Sequence, residues 1–205
     1  MAISTHISDE RSQDQDRRPL LLVCNWSATD PVWDMVEDLS GVPWQPEGVR
    51  TELVEPAADI TALAEHLANQ LDHQDARALL LIGRTQHEGP ARLQLRAEIP
   101  HTNGQRLSLD GPGVVRATAP AGQILEAATK ARVSIVASSE NEADEGSRLL
   151  YEILTRLDER LETPAVALIR FPKSMPETAI AHAIKSAVLV MTQHLSHAPR
   201  FNAGR

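Results

Sequence analysis

Three short runs of apolar residues most constrain how this chain can fold. They occupy residues 19–24, 78–82 and 165–169 and contain almost no polar side chain. A strand that is apolar at every position is typical of a parallel sheet covered on both faces, because both of its own faces are then buried. A fourth run of similar length lies at residues 133–137. These runs predict a buried sheet in the centre of the molecule.

Amphipathic helical segments separate the runs. In residues 59–71 the apolar positions recur at helical spacing and include Ile60, Leu63 and Leu67. Further helices are predicted at residues 31–39, 121–131, 143–161 and 175–194. Strands that alternate with helices predict an α/β protein with a mainly parallel sheet covered on both faces.

One region has a different pattern. Residues 92–99 alternate between apolar and polar side chains, with Leu93, Leu95, Ala97 and Ile99 on the apolar side. Alternation of this kind predicts a half-exposed, antiparallel strand. A turn at Asn103-Gly104 and a strand at residues 106–109 would then form a hairpin or an extended excursion. A further short strand is predicted at residues 49–54.

Length and composition predict one domain in the cytoplasm. Residues 1–18 are polar and aperiodic, which predicts a disordered tail. The α/β domain is predicted to span residues 19–198, followed by a C-terminal tail at residues 199–205. The N-terminus has no apolar segment typical of a secretory signal, and no run reaches the roughly 18 apolar residues of a membrane span. A single cysteine, Cys24, excludes an internal disulfide framework and indicates a reducing compartment.

The charge of the chain restricts its partners. A formal net charge of −8 argues against nucleic acid and anionic membranes, because phosphate binding needs clustered Lys and Arg. No cofactor motif is present, since no glycine-rich segment leads directly from a strand into a helix. No metal site is predicted either, because the histidines lack the spacing of a metal motif. The histidines weighed were His87, His101, His182, His194 and His197.

Five motifs, in this order, resemble pyroglutamyl peptidase I, the cysteine peptidase family that removes N-terminal pyroglutamate. They are Asp30-Pro31-Val32-Trp33, Ile99-Pro100-His101-Thr102-Asn103-Gly104, Asp110-Gly111-Pro112, the strand and turn at 133–139 followed by Leu149-Leu150-Tyr151, and Ile169-Arg170-Phe171-Pro172 with Met175-Pro176-Glu177-Thr178. The resemblance covers residues 20–195. It implies a single three-layer α/β/α domain with a twisted, mainly parallel mixed sheet, and homo-oligomers are possible because family members can assemble.

The positions that carry the family's chemistry are changed. The family uses a cysteine nucleophile, a histidine base and a carboxylate that orients the histidine. The resemblance places Gly146 at the cysteine and Arg170 at the histidine, and an arginine stays protonated and cannot act as a base. For the carboxylate, gapless counting gives Gln94, while other registers give Glu88, Arg96 or Glu98.

The substrate pocket also departs from the family. A family loop after the first strand packs aromatic rings against pyroglutamate, whereas here a shorter connection carries only Trp26. The binding-cleft candidates are Trp26, Arg84, Ser138, Ser147 and Arg170. The resemblance therefore implies a protein without pyroglutamyl peptidase activity that binds or interacts with an unknown small molecule or peptide.

An oligomeric scaffold is one further possibility, since family members can assemble through loops of this domain, and two alternatives concern the site itself. One is a divergent hydrolase with a site rebuilt around Ser147, Ser138, His87 or Cys24, although a free cysteine in a strand is more typically a small buried apolar residue. The other is an anion site formed by Arg84, Arg148 and Arg170 at strand and helix ends. Against the anion site, the nearby carboxylates favour internal ion pairs. These carboxylates are Glu140, Glu142, Asp144 and Glu145.

Overall fold

A computed structural model describes residues 18–26, 44–73, 76–99, 101–102, 105–106, 111–157 and 163–196. The predicted tails, apart from Arg18 at the end of the first, lie outside these residues. The predicted helix at 31–39 and the turn at Asn103-Gly104 also lie outside them.

Ten strands and four helices make up the described part of the chain. The strands are β1 (Leu20–Asn25), β2 (Arg50–Val54), β3 (Ala76–Arg84), β4 (Ala91–Gln94), β5 (Arg96–Glu98), β6 (His101–Thr102), β7 (Gln105–Arg106), β8 (Val114–Arg116), β9 (Ile135–Ser138) and β10 (Ala165–Phe171). The helices are α1 (Ile60–His73), α2 (Ala121–Lys130), α3 (Glu145–Arg156) and α4 (Glu177–Ser196).

The central sheet has six strands in the order β2-β1-β3-β10-β4-β9. Every neighbouring pair is parallel except β10 and β4, which are antiparallel. The three apolar runs become β1, β3 and β10, which are adjacent at the centre of the sheet. All residues of β1 and β10 are buried. The mainly parallel mixed sheet and the α/β class are confirmed.

Two helices cover each face of this sheet. α1 packs against α3 on one face, and α2 packs against α4 on the other. The Asp59 carboxylate accepts a hydrogen bond from the backbone N–H of Thr61 (2.8 Å), which caps α1. None of the helices in the described ranges is long and apolar enough to cross a membrane.

α3 is shorter than predicted at both ends. Asp144 caps it by accepting a hydrogen bond from the backbone N–H of Ser147 (2.9 Å), so the helix begins at Glu145. The extended backbone of Leu157 ends it. The predicted span of residues 143–161 was therefore wrong at its start, and the helix stops before residue 157.

The alternating segment at 92–99 is two strands and not one. β4 belongs to the central sheet and is antiparallel to β10, as predicted, whereas β5 pairs with β8 in a separate small sheet. The break falls at Leu95, whose N–H donates to the carbonyl of Ser138 (2.8 Å) and whose carbonyl accepts from Ala117 (3.0 Å). The predicted faces are wrong at this point, because Gln94 is buried and Leu95 is only half-buried.

A hairpin forms in the region that follows. β6 and β7 pair antiparallel, with His101 opposite Arg106 and Thr102 opposite Gln105. These two strands flank the Asn103-Gly104 pair on either side. The predicted return strand at 106–109 begins one residue earlier, at Gln105.

The side chains of β10 alternate between the two apolar cores. Ile169 and Phe171 belong to the core beneath α2 and α4, and Leu168 belongs to the core beneath α1 and α3. Arg170 therefore extends toward the α1/α3 side, at the carboxyl end of the strand. The fold thus places a cation in the layer between the sheet and α3.

Candidate functional site

Arg170 is the centre of a buried group of polar side chains. Its exposed fraction is 1%, and it is the largest fully buried side chain in the described part of the chain. An unpaired guanidinium at this depth would cost several kcal/mol, so its hydrogen-bond partners decide whether the site is stable.

Each of the five N–H groups of Arg170 has an acceptor. Nε donates to Oε1 of Gln94 (2.8 Å), and Nη1 donates to Oδ2 of Asp144 and to the carbonyl of Arg84 (3.5 Å). Nη2 donates to Oδ1 of Asp144 (2.7 Å) and to Oγ of Ser147 (2.8 Å). Because a guanidinium has five such donors, the group is saturated by the protein itself.

Two carboxylates balance this charge. Asp144 holds the guanidinium with both oxygens, which is the fork geometry that gives the strongest pairs. The Glu142 carboxylate stands 3.7 Å from Nε of Arg170 and also accepts a hydrogen bond from the Thr85 hydroxyl (2.7 Å). Internal ion pairing therefore accounts for Arg170, and the same loop that supplies these carboxylates caps α3.

Gln94 and Ser147 complete the contacts beneath α3. The Gln94 amide donates to the carbonyl of Arg96 (2.8 Å) and to Oγ of Ser147 (3.2 Å). The Ser147 hydroxyl lies 3.4 Å from Oε1 of Gln94, to which it can donate. Within the described residues the Ser147 hydroxyl bonds only to Gln94 and Arg170. Neither partner can remove its proton, because one is an amide and the other a protonated guanidinium.

The ring of Trp26 closes the group from the sheet side. The guanidinium carbon of Arg170 lies 5.1 Å from the ring centroid, within the range of a cation–π contact. Gly146, in the first turn of α3, faces the same ring, which is 5% exposed. Trp26, Gln94, Asp144, Ser147 and Arg170 are called the Arg170 cluster below. Four of these side chains are buried, and that of Asp144 is 36% exposed.

The other candidates lie around this cluster. Arg84 contributes its backbone carbonyl to Arg170 and directs its own side chain to the carbonyl of Pro172 (3.2 Å). Ser138 stands opposite Gln94 in the pairing of β4 with β9, but its hydroxyl accepts from the backbone N–H of Glu140 (3.2 Å). Neither side chain joins the cluster.

The alternative positions for the family carboxylate also lie apart. Glu88 accepts a hydrogen bond from the Ser174 hydroxyl (2.7 Å), and Glu98 pairs with Arg96 (3.1 Å). Of the four candidate positions, Gln94 is the one whose side chain contacts Arg170.

His87 belongs to a separate surface group. Its Nε2 lies 3.3 Å from Glu140, which also accepts a hydrogen bond from Arg92 (2.5 Å). The hydrogen bond from Arg92 lowers the pKa of Glu140 below its usual value. Among the described residues, no three His, Cys, Asp or Glu side chains are grouped closely enough to hold a metal ion.

Cys24 has the features of an unreactive thiol. It is fully buried in β1, and burial raises the pKa of its thiol to about 12. A thiol with such a pKa is almost entirely protonated at neutral pH, whereas a nucleophilic cysteine needs the thiolate.

Asp144 is the member of the cluster to which sequence reasoning gave no specific role. It entered only as one of several loop carboxylates able to pair with an arginine. The helix was predicted to begin at residue 143, which placed Asp144 inside it and hid its role, although an aspartate is a preferred cap at a helix start.

Known structures with a similar fold are pyrrolidone carboxyl peptidases. The chain is similar to pyroglutamyl peptidase I from Bacillus amyloliquefaciens over 86% of its length and 98% of that chain, with a TM-score of 0.67 and 17% identity. The peptidase from Thermus thermophilus gives 0.62 at 20% identity over 83% and 99% of the two chains. That from Thermococcus litoralis gives 0.68 at 13% identity over 87% and 95%.

The resemblance seen in the sequence is thereby confirmed at the level of the fold. No family model and no curated protein sequence matches the chain. The chain has the pyrrolidone carboxyl peptidase fold.

Proposed function

We propose that this protein is a divergent relative of pyroglutamyl peptidase I that has lost the peptidase reaction and acts by binding. The family reaction needs a nucleophile and a base that both activates it and protonates the leaving amine. Glycine at 146 has no side chain, and arginine at 170 cannot accept a proton at any working pH. These two positions therefore supply neither the nucleophile nor the base.

The observation that carries this proposal is the saturation of Arg170. A carboxylate that orients an imidazole would be the family arrangement, and here an amide accepts from a guanidinium at 2.8 Å instead. The changes at 94 and 170 suit each other, because a neutral amide oxygen and a permanent cation form a stable bond without titrating. The exchange supports a site whose residues now stabilise the fold and no longer catalyse a reaction.

The ligand that we propose is a small molecule or a peptide, and the compartment is the cytoplasm. The single buried cysteine suits a reducing compartment. Because the Arg170 cluster uses its polar groups internally, ligand recognition at this edge of the sheet would have to use groups outside the cluster.

The test is release of a chromophore from a pyroglutamyl substrate by the unmodified protein. We expect a rate equal to that of buffer alone, with the Bacillus amyloliquefaciens peptidase as positive control. Turnover that disappears in Ser147→Ala or in Cys24→Ala would contradict the proposal and favour a rebuilt hydrolase. The variant in which turnover disappears would identify the nucleophile.

A further inference from the structure

The ring of Trp26 lies where a side chain at residue 146 would have to stand. The pairing of β1 with β3 puts the residue that follows β1, Trp26, beside Gly83. The pairing of β3 with β10 puts Gly83 beside Arg170. The three residues are thus neighbours across three adjacent strands, at the edge where these strands end. The indole ring crosses Gly83 and reaches the guanidinium beyond it.

Two glycines make room for this ring, one below it and one above. A Cβ at Gly83 would lie 2.3 Å from Cη2 and Cζ2 of Trp26, and a Cβ at Gly146 would lie 2.7 Å from Cε2. Real Cβ atoms essentially never approach a heavy atom beyond their own residue and its chain neighbours within 3.0 Å. The ring cannot relieve one contact by moving toward the other glycine, since the two lie on its opposite sides. Any side chain at either position requires the ring or the backbone beside it to shift.

We infer that Trp26 occludes the nucleophile position of the former active site and holds residues 83 and 146 to glycine. The inference rests on the proposed function, because it takes Gly146 as the position of the family's cysteine. A cysteine there would meet the indole ring, so a side chain at 146 and the ring of Trp26 cannot both keep the positions that the glycine and the ring have now. The packing of α3 on the sheet then leaves no room for a nucleophile at residue 146. Restoring the cysteine alone therefore does not restore an active site.

A double-mutant cycle between residues 26 and 146 tests this coupling. Gly146→Ala is made in the unmodified protein and in Trp26→Leu, and the folding equilibrium constant is measured by denaturant titration. Overpacking should lower that constant by about tenfold or more beside Trp26. In the Trp26→Leu background the same change should lower it by less than about threefold, because the ring has been removed.

Gly122 supplies the matched control. Gly122 and Gly146 are each the second residue of a helix, α2 and α3. A Cβ at Gly122 meets no heavy atom within 4 Å. Gly122→Ala should therefore leave the folding equilibrium constant unchanged or raise it in both backgrounds, because alanine is the better helix former.

A second readout separates occlusion from a general packing defect. Gly146→Cys is made in a Cys24→Ala background, once with Trp26 and once with Trp26→Leu, and the thiol is titrated with a disulfide reagent under native conditions. We expect reaction at least about tenfold faster without the ring, because thiol reactivity follows exposure. If Trp26→Leu does not fold, Trp26→Phe, which keeps a smaller ring, takes its place in both experiments.

Equal costs of Gly146→Ala in the two backgrounds would overturn the inference, as would the absence of a cost beside Trp26. Equal thiol reactivity at 146 with and without the ring would do the same. Turnover by the unmodified protein would instead overturn the proposed function and leave the coupling intact, because neither experiment measures hydrolysis.

Discussion

Arg170 and Phe171 are consecutive residues of β10, and both are fully buried on opposite faces of one sheet. Phe171 enters the apolar core beneath α2 and α4, where it needs only neighbours of the right shape. Arg170 enters the layer beneath α3, where it needs five acceptors and a balancing carboxylate.

The difference shows how the two faces are specified. On the α2/α4 side the burial of apolar area stabilises the fold, so substitutions of similar volume are tolerated. At the Arg170 cluster the cost of burying a charge is offset by directed hydrogen bonds, so the outcome depends on which partner is removed. The Arg170 cluster includes the positions that the resemblance assigns to the family's chemistry.

Phe171→Ala should give the largest loss of stability. Removing a fully buried ring from a packed core costs about 3–5 kcal/mol of unfolding free energy. Denaturant titration measures it, with Phe171→Leu as the control that keeps most of the volume. A loss below about 1 kcal/mol for the alanine variant would mean that this core is not packed as described.

Asp144→Ala should come second, at about 2–3 kcal/mol. It leaves the buried Arg170 guanidinium without its bidentate partner and removes the cap of α3. The cost is below that of a fully buried pair because the Asp144 side chain is 36% exposed. Asp144→Asn keeps the cap and loses the charge, so it should lie between the alanine variant and the unmodified protein. An asparagine variant as stable as the unmodified protein would show that the ion pair contributes nothing.

Cys24→Ser should cost about 1–2 kcal/mol, because it puts a hydroxyl in an apolar site. The unmodified thiol should also resist alkylation at neutral pH, since its pKa is raised to about 12. The sign follows from burial, which favours the neutral form, so the thiolate stays scarce until the pH approaches that value. Mass spectrometry after iodoacetamide treatment at pH 7 checks this, with the denatured protein as the labelled control. Rapid labelling of the folded protein would reopen the case for Cys24 as a relocated nucleophile.

Ser147→Ala should have the smallest effect, about 1 kcal/mol, from one lost acceptor of Arg170. Its effect on hydrolysis should be zero, because no base contacts this hydroxyl in the described part of the chain. Thermal unfolding and the chromogenic assay measure the two quantities separately.

Much of the fold was predictable from the sequence, and the reason is local. The runs that became β1, β3 and β10 are apolar at every position, and α1 repeats its apolar residues at helical spacing. Such patterns reflect burial alone, so they can be recognised without knowing which strands and helices pack together. The break at Leu95 was not predictable, because it is set by hydrogen bonds to Ser138 and Ala117, which are distant in the sequence.

The candidate site divides in the same way. Motif spacing led to Gln94, Gly146 and Arg170, and left the choice of Gln94 open among four positions. The fork between Asp144 and Arg170 and the position of the Trp26 ring arise from the packing of α3 on the sheet. No periodicity or spacing within the chain reports that packing.

The central claim is that no nucleophile and base remain where the family keeps them, and a pH–rate profile of the unmodified protein tests it most directly. Pyroglutamyl substrate release is followed from pH 5 to pH 9, beside buffer and beside the Bacillus amyloliquefaciens peptidase. A working cysteine–histidine pair gives a bell-shaped profile, because the base must be free and the acid protonated. We expect this protein to follow the buffer rate at every pH. A bell-shaped profile above that rate would contradict the account.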